Sequence, residues 1–197
     1  MLTHLRRAVV LTFALLVVCG LAYPLAGLAV AQGAFHAQAN GSVVDHGAAS
    51  SLIGQPWTTN GKIDPKWFQG RPDAFNPLWL NGTPGTSGAA SLGPRSSALV
   101  SAVQALVAAW HAVGVNPTAD LVTTSGSGLD PDISRAGAMV QVAMVARARG
   151  LPVRVVHALV AAHVHGAQFG FLGAPYVNVL DLNEALAAYA SSHPTGR

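Results

Sequence analysis

Residues 8–31 read AVVLTFALLVVCGLAYPLAGLAVA, 24 consecutive positions without a charged side chain. As an α-helix this stretch is about 36 Å long at ~1.5 Å per residue. A hydrocarbon core is about 30 Å thick, so the run is long enough to span with some tilt. Pro24 sits inside it, which a membrane helix tolerates because neighbouring groups re-satisfy the freed carbonyl. Gly20, Ala22, Gly27 and Ala31 keep bulk off the backbone. Gly20 and Gly27 are the expected contacts with a partner helix in the membrane.

The competing interpretation is a cleaved signal peptide. MLTHLRR makes a fair basic n-region, and Ala29-Val30-Ala31 fits an A-x-A site, with release after Ala31. Length favours an uncleaved span, because a signal h-region is roughly 7–15 residues. Cys19 invites a lipoprotein assignment, but Val18 before it suits a lipobox poorly. Orientation is the same either way. Arg6 and Arg7 precede the run and no Lys or Arg follows until Lys62. The positive-inside rule puts residues 1–7 in the cytoplasm and everything after Ala31 outside it.

Composition agrees with an anchor joined to a modest domain. Of the 197 residues 51% are hydrophobic and only 10% charged, against roughly 25% charged in a soluble domain. Net charge is +3 and Cys19 is the single cysteine. An intrachain disulfide and a thiolate metal site are therefore excluded. No basic patch with interleaved aromatics marks a nucleic-acid surface.

Residues 32–94 form a loop-rich segment with turn signals at Gln55-Pro56, Asn60-Gly61, Asp64-Pro65 and Asn81-Gly82. A short strand is expected at Gly41–Val44. Trp57, Trp67, Phe68, Phe75 and Trp79 supply apolar mass, and Gly82–Gly93 reads as a connector. Residues 95–197 are helix-rich. Leu99, Val103, Leu106, Val107 and Trp110 follow helical spacing, and Gly114 closes the run. Asp120–Thr124 is β-compatible. Ser134 is an N-cap for a helix running to about Arg149. Gly150 and Pro152 stop it, and Val153, Val156, Val160 and Val164 give a second apolar stripe ending at Gly166. A turn at Gly173-Ala174-Pro175 leads to a strand, Tyr176–Leu180, and Asp181 or Asn183 caps a last helix through Tyr189. The fold class is α+β: one N-terminal transmembrane helix followed by one extracytoplasmic mixed α/β domain.

The stretch VTTSGSGLDPDIS, residues 122–134, is where nucleotide chemistry would sit. A P-loop needs a lysine to reach the outer phosphates. This loop has neither lysine nor arginine, and Asp130 and Asp132 repel phosphate unless a metal intervenes. The third glycine of a dinucleotide fingerprint is also missing. A turn that starts a helix fits better, since the glycines permit positive φ and Asp-Pro initiates turns. His157, His163 and His165 form no HExxH and no i, i+4 pair. Neither Ser125 nor Ser127 lies in a GxSxG elbow, and carboxylates are too few to name an acid/base pair. An autonomous hydrolase is disfavoured, and no catalytic or metal-binding residue is assigned.

The combination of blocks resembles the C subunit of Kdp-type potassium-transporting P-type ATPases. The blocks run in order over nearly the whole chain: the span ending in GLAYPL; IGQPW, WFQGRP and FNP; LGP, VTTSGSGLDPDIS, Gln141 and VARARG; then Leu159-Val160, His163, GFLG and VNVLDLN. The resemblance implies a subunit without hydrolytic activity of its own. This single-pass subunit of the plasma membrane would join a channel-like potassium-binding subunit and a P-type ATP-hydrolysing subunit in one membrane complex that imports potassium at high affinity. It also implies a catalytic chaperone that raises the pump subunit's affinity for ATP, with Gln141 as a nucleotide contact; no tightly bound cofactor is expected. The positive-inside argument puts Gln141 outside, where ATP is scarce, and there it is a polar residue on a helix. The chain departs from the pattern at Ser91, Arg135, Ala167, Ala174 and Tyr176. The last three replace charges that flank GFLG, so the interface here differs in detail from that of relatives.

Overall fold

The computed structural model describes residues 2–44, 49–73 and 86–193. The chain divides into two compact units, Met1–Ser50 and Ser51–Arg197.

In the first unit, helix α1 (Leu2–Val17), a π-helical turn (Val18–Ala22) and helix α2 (Tyr23–Ala34) follow without a break. Pro24 explains the π turn. It lacks an N–H, and its ring would strike the carbonyl four residues back in a regular helix. Widening the turn avoids this, and the Tyr23 N–H reaches the Val18 carbonyl. The resulting helix, Leu2–Ala34, has 33 residues and a mean hydropathy of 2.4 over its most apolar window, with none of that window buried. It starts before the apolar run, because Arg6 and Arg7 continue the helical backbone. Helix α3 (His36–Ala39) follows. Strands β1 (Val43–Val44) and β2 (Ala49–Ser50) then pair antiparallel, so the strand expected at Gly41–Val44 forms at its last two residues.

The second unit begins with a hairpin of β3 (Thr58–Thr59) and β4 (Lys62–Ile63). The Asn60-Gly61 signal makes this turn, with φ of 50° and 72°, the two left-handed positions of a type I′ hairpin. Phe75, Trp79 and Asn81-Gly82 lie outside the described residues, as does the start of the Gly82–Gly93 connector. Helix α4 (Ser97–Ala112) buries Leu106 and Trp110. It ends as expected at Gly114, whose φ of 78° no branched residue adopts readily.

One strand expectation needs correction here. Asp120–Thr124 is not a strand. Ala119–Leu121 is a 3₁₀ turn, and the Thr123 hydroxyl donates back to the Ala119 carbonyl at 2.7 Å. The strand lies later, at β5 (Asp132–Ser134). It joins an antiparallel sheet in the order β5-β7-β6 with β7 (Tyr176–Asn178) and β6 (Val164–His165). Ile133 faces Val177, which faces Val164, and this row closes one side of the core.

Ser134 is the N-cap, accepting from the Gly137 N–H at 2.9 Å. The helix it starts is interrupted, not continuous: α5 (Arg135–Met139) and α6 (Val142–Arg149) flank a tight turn at 140–141. Gly150 ends α6 in the left-handed region. In α7 (Val153–Ala162) Val156 and Val160 are buried, whereas Val153 faces solvent and Val164 belongs to β6. The last helix, α8 (Val179–Ser192), is capped by Asn178, not by Asp181 or Asn183, so the strand before it stops at Asn178. The core gathers Phe68, Leu106, Trp110, Leu121, Ile133, Met144, Val145, Val156, Val160, Val177, Leu182 and Leu186. Full burial of each large apolar side chain contributes about 1.5–3 kcal/mol.

Candidate functional site

The WFQG stretch, residues 67–70, has no strand partner among the described residues, and two buried side-chain amides pair with its backbone instead. Asn183 on α8 accepts from the Phe68 N–H at 2.9 Å and donates to the Phe68 carbonyl at 2.9 Å. Gln141, at the break between α5 and α6, accepts from the Gln69 N–H at 2.8 Å and donates to the Gln69 carbonyl at 3.1 Å. Its second amide hydrogen goes to the Gly137 carbonyl at 3.0 Å. Both side chains are 0% exposed. Each amide copies the donor–acceptor pair of a neighbouring strand, which is how buried backbone far from a sheet avoids an uncompensated N–H or C=O. Gln141 is thus enclosed by its own chain.

The flanks of this stretch are pinned as well. Arg149 Nε donates to the Lys66 carbonyl at 2.6 Å, and its guanidinium lies 4.0 Å from the Trp67 ring centre. Trp67 packs on Trp57 with ring centres 4.9 Å apart. Burial pulls the Arg149 pKa down, opposed by the charge of Asp64. The Trp57 indole N–H is buried and has no acceptor among the described residues.

The glycine–serine loop is internally satisfied. Ser125 Oγ accepts from the Gly128 N–H at 2.9 Å, and Ser127 Oγ accepts from the Leu129 N–H at 3.1 Å. Asp130 accepts from the Asp132 N–H at 3.0 Å and pairs with Arg71 at 3.2 Å. Arg71 also donates to the Thr124 carbonyl at 3.0 Å. The Leu129 carbonyl accepts from the Gly54 N–H at 2.9 Å, and a Cβ on Gly54 would lie 3.0 Å from the Asp130 carbonyl oxygen. The loop therefore uses its hydroxyls and carboxylate to fold itself and to hold 54 and 71 against it. A phosphate there would have to displace those contacts. Among the described residues no three His, Cys, Asp or Glu side chains converge as metal ligands.

Asp120 governs the start of α5. Its carboxylate accepts from the Ser134 N–H at 2.8 Å and from the Thr118 hydroxyl. Burial pushes this carboxyl up, but the Thr118 and Ser134 hydrogen bonds outweigh burial and hold it below the usual carboxylate range. Gly137 makes room, since a Cβ there would fall 2.6 Å from Asp120 Oδ2. Asp132 is pushed the other way, by burial and then by the charge of Asp130, although Asn178 donates to it at 3.0 Å.

Gly20 lies in the π turn and Gly27 in α2, and beyond the helix's own backbone no atom of the described residues lies within 4 Å of a Cβ at either. Gln141 lies in the core of the second unit. The sequence reasoning missed Asn183 as a clamp. The signal was present, because an amide at 183 interrupts the Val179, Leu182, Leu186 stripe that faces the core.

A model of the family described as KdpC: K+-transporting ATPase, c chain, matches residues 5–188. The chain is 49% identical over 193 residues to the potassium-transporting ATPase KdpC subunit of Sorangium cellulosum, covering 94% of this chain and 98% of that one. Its counterpart from Allorhizobium ampelinum is 47% identical over 198 residues, covering 95% and 97%. That of Gemmatimonas aurantiaca is 44% identical over 204 residues, covering 100% and 98%.

Proposed function

Because the chain belongs to the KdpC family of K+-transporting ATPase c chains, we propose that it works as the anchored, non-hydrolytic helper of an ATP-driven potassium importer. The observation that carries this is the match over residues 5–188 of a chain whose helix Leu2–Ala34 has a strongly apolar window, none of it buried. The partners are a channel-like potassium-binding subunit and a P-type ATP-hydrolysing subunit. The helix stays attached and crosses the membrane with Arg6 and Arg7 inside, leaving the second unit outside the cytoplasm.

The helper raises the pump subunit's affinity for ATP by favouring the conformation that binds nucleotide. Linkage then requires ATP to tighten this chain's hold on the complex by the same factor. Such coupling needs no nucleotide on this chain. A direct ATP contact through Gln141 would require the Gln69 backbone to leave its amide.

Tagged chain from potassium-limited cells, solubilised in mild detergent, is expected to bring down two larger membrane proteins and to hydrolyse no ATP alone. Recovery of a lone monomer overturns the reading. The second reading is an exported interaction domain released after Ala31. Helix α2 continues through Ala29-Val30-Ala31 to Ala34, whereas a processed site is cut in extended form. A mature N-terminus at Gln32 would establish release.

A further inference from the structure

One face of α1 joins two cations to an apolar lane. Thr3, Arg6, Arg7, Val10, Leu11 and Ala14 recur at helical spacing, so they share a face, and they line a surface groove of about 470 Å³. Arg6 and Arg7 are exposed. No Asp or Glu occurs from residue 1 to 44, so nothing along this helix neutralises them. Their level in a bilayer follows from the uncharged run that opens at Ala8. At ~1.5 Å per residue, Arg6 and Arg7 stand about 1.5–3 Å outside the hydrocarbon, within a headgroup layer about 5–7 Å thick. Val10, Leu11 and Ala14 lie about 3–9 Å inside it. Gly20 and Gly27, the expected contacts with a partner helix, lie about 9 Å or more beyond Ala14, so a contact there does not need this face.

We propose that this face binds an anionic phospholipid of the cytoplasmic leaflet, its phosphate held by Arg6 and Arg7 and one acyl chain laid along Val10, Leu11 and Ala14, an inference that rests on the membrane-spanning reading above. A guanidinium is planar and offers paired N–H donors that match phosphate oxygens. The Thr3 hydroxyl adds a donor on the same face. Two adjacent cations favour a lipid with net negative charge, because a zwitterionic headgroup carries its own ammonium, which competes for the phosphate and cancels the attraction at longer range. The methyl of Ala14 keeps the lane open beneath the arginines, and none of the helix's most apolar window is buried by the chain. A free phosphate or an acidic peptide would match the cations alone and leave the lane below them without an occupant. A phospholipid matches both halves at their spacing.

The test uses the full chain in phosphatidylcholine vesicles, whose two leaflets are alike, so insertion in either direction gives the same surroundings. Electron spin resonance reads the motionally restricted fraction of a trace nitroxide lipid, either phosphatidylglycerol or phosphatidylcholine, labelled at the same acyl carbon. The parent chain is expected to restrict phosphatidylglycerol in preference. Each arginine contributes about fivefold. The preference should therefore fall about fivefold in Arg6→Gln or Arg7→Gln and vanish in the double variant, with phosphatidylcholine restricted as before. Ala14→Phe keeps both charges but fills the lane, and is expected to lower the preference as well. Equal restriction of the two labels by the parent, or a preference that survives the double variant, overturns the site and leaves the span intact. An undiminished preference in Ala14→Phe reduces the arginines to a diffuse attraction and overturns the seated lipid. No restricted signal from either label removes the membrane-spanning reading, and the site with it.

Discussion

Replacing Gln141 with leucine keeps the side chain's bulk and deletes its three hydrogen bonds. The Gln69 N–H and C=O lose their partner in a residue that is only 6% exposed. Each buried, unsatisfied backbone group costs about 1–3 kcal/mol. The extra apolar burial of leucine offsets part of this, about 1.5 kcal/mol. The net loss is about 3 kcal/mol, which at about 2–4 °C per kcal/mol lowers the melting temperature by roughly 6–12 °C. Trp67 lies two residues from Gln69 and Trp57 packs on it, so tryptophan fluorescence during thermal unfolding of the full chain in detergent reports the loss. Asn183→Leu removes the equivalent pair on Phe68 and is expected to cost a similar amount. The double variant should lose less than the sum, because the two clamps hold consecutive residues and release of one loosens the other. A Gln141→Leu chain that melts within 2 °C of the parent while the complex loses ATP affinity refutes the clamp and restores the nucleotide contact.

Gly137→Ala drives a methyl into the Asp120 carboxylate at 2.6 Å and is expected to destabilise by about 1–3 kcal/mol in urea unfolding; adding Asp120→Ala should recover part of that loss. The Asp120 pKa is lowered from 3.8, so its contribution is fully present above about pH 4 and disappears as pH falls through the folded-state value. Asp120→Asn should therefore be less stable than the parent at pH 7, and the gap should narrow by pH 3. Gly20→Leu with Gly27→Leu is expected to lower the yield of intact complex while leaving the second unit's melting unchanged, and equal yield would show that those faces carry no partner helix.

The long N-terminal helix was legible because 24 uncharged residues form one apolar run behind two arginines. The Asn60-Gly61 turn, the Ser134 cap and the Gly150 stop were legible because each is decided by neighbours in sequence. Strand β5 was not: Asp132–Ser134 is three residues long and follows an Asp-Pro turn, so no alternation announces it. It exists because β7 arrives from 44 residues away to pair with it. Asp120–Thr124 misled because its β-branched residues suit a strand, yet Thr123 bonds to its own turn. The break at 140–141 was hidden because residues 135–149 hold no proline and their one glycine, Gly137, lies before the break. Gln141 and Asn183 show the limit most clearly. Their partners lie 72 and 115 residues away, and nothing local distinguishes a buried clamp from a surface amide except the apolar stripe around Asn183.

Sidedness tests the central claim most directly: a short arginine-bearing end inside, a tethered helper outside. Protease added to intact spheroplasts carrying a C-terminally tagged chain is expected to remove the tag and digest the second unit, leaving the N-terminal helix with the membrane. A tag protected until the membrane is broken would put that unit in the cytoplasm and contradict the account.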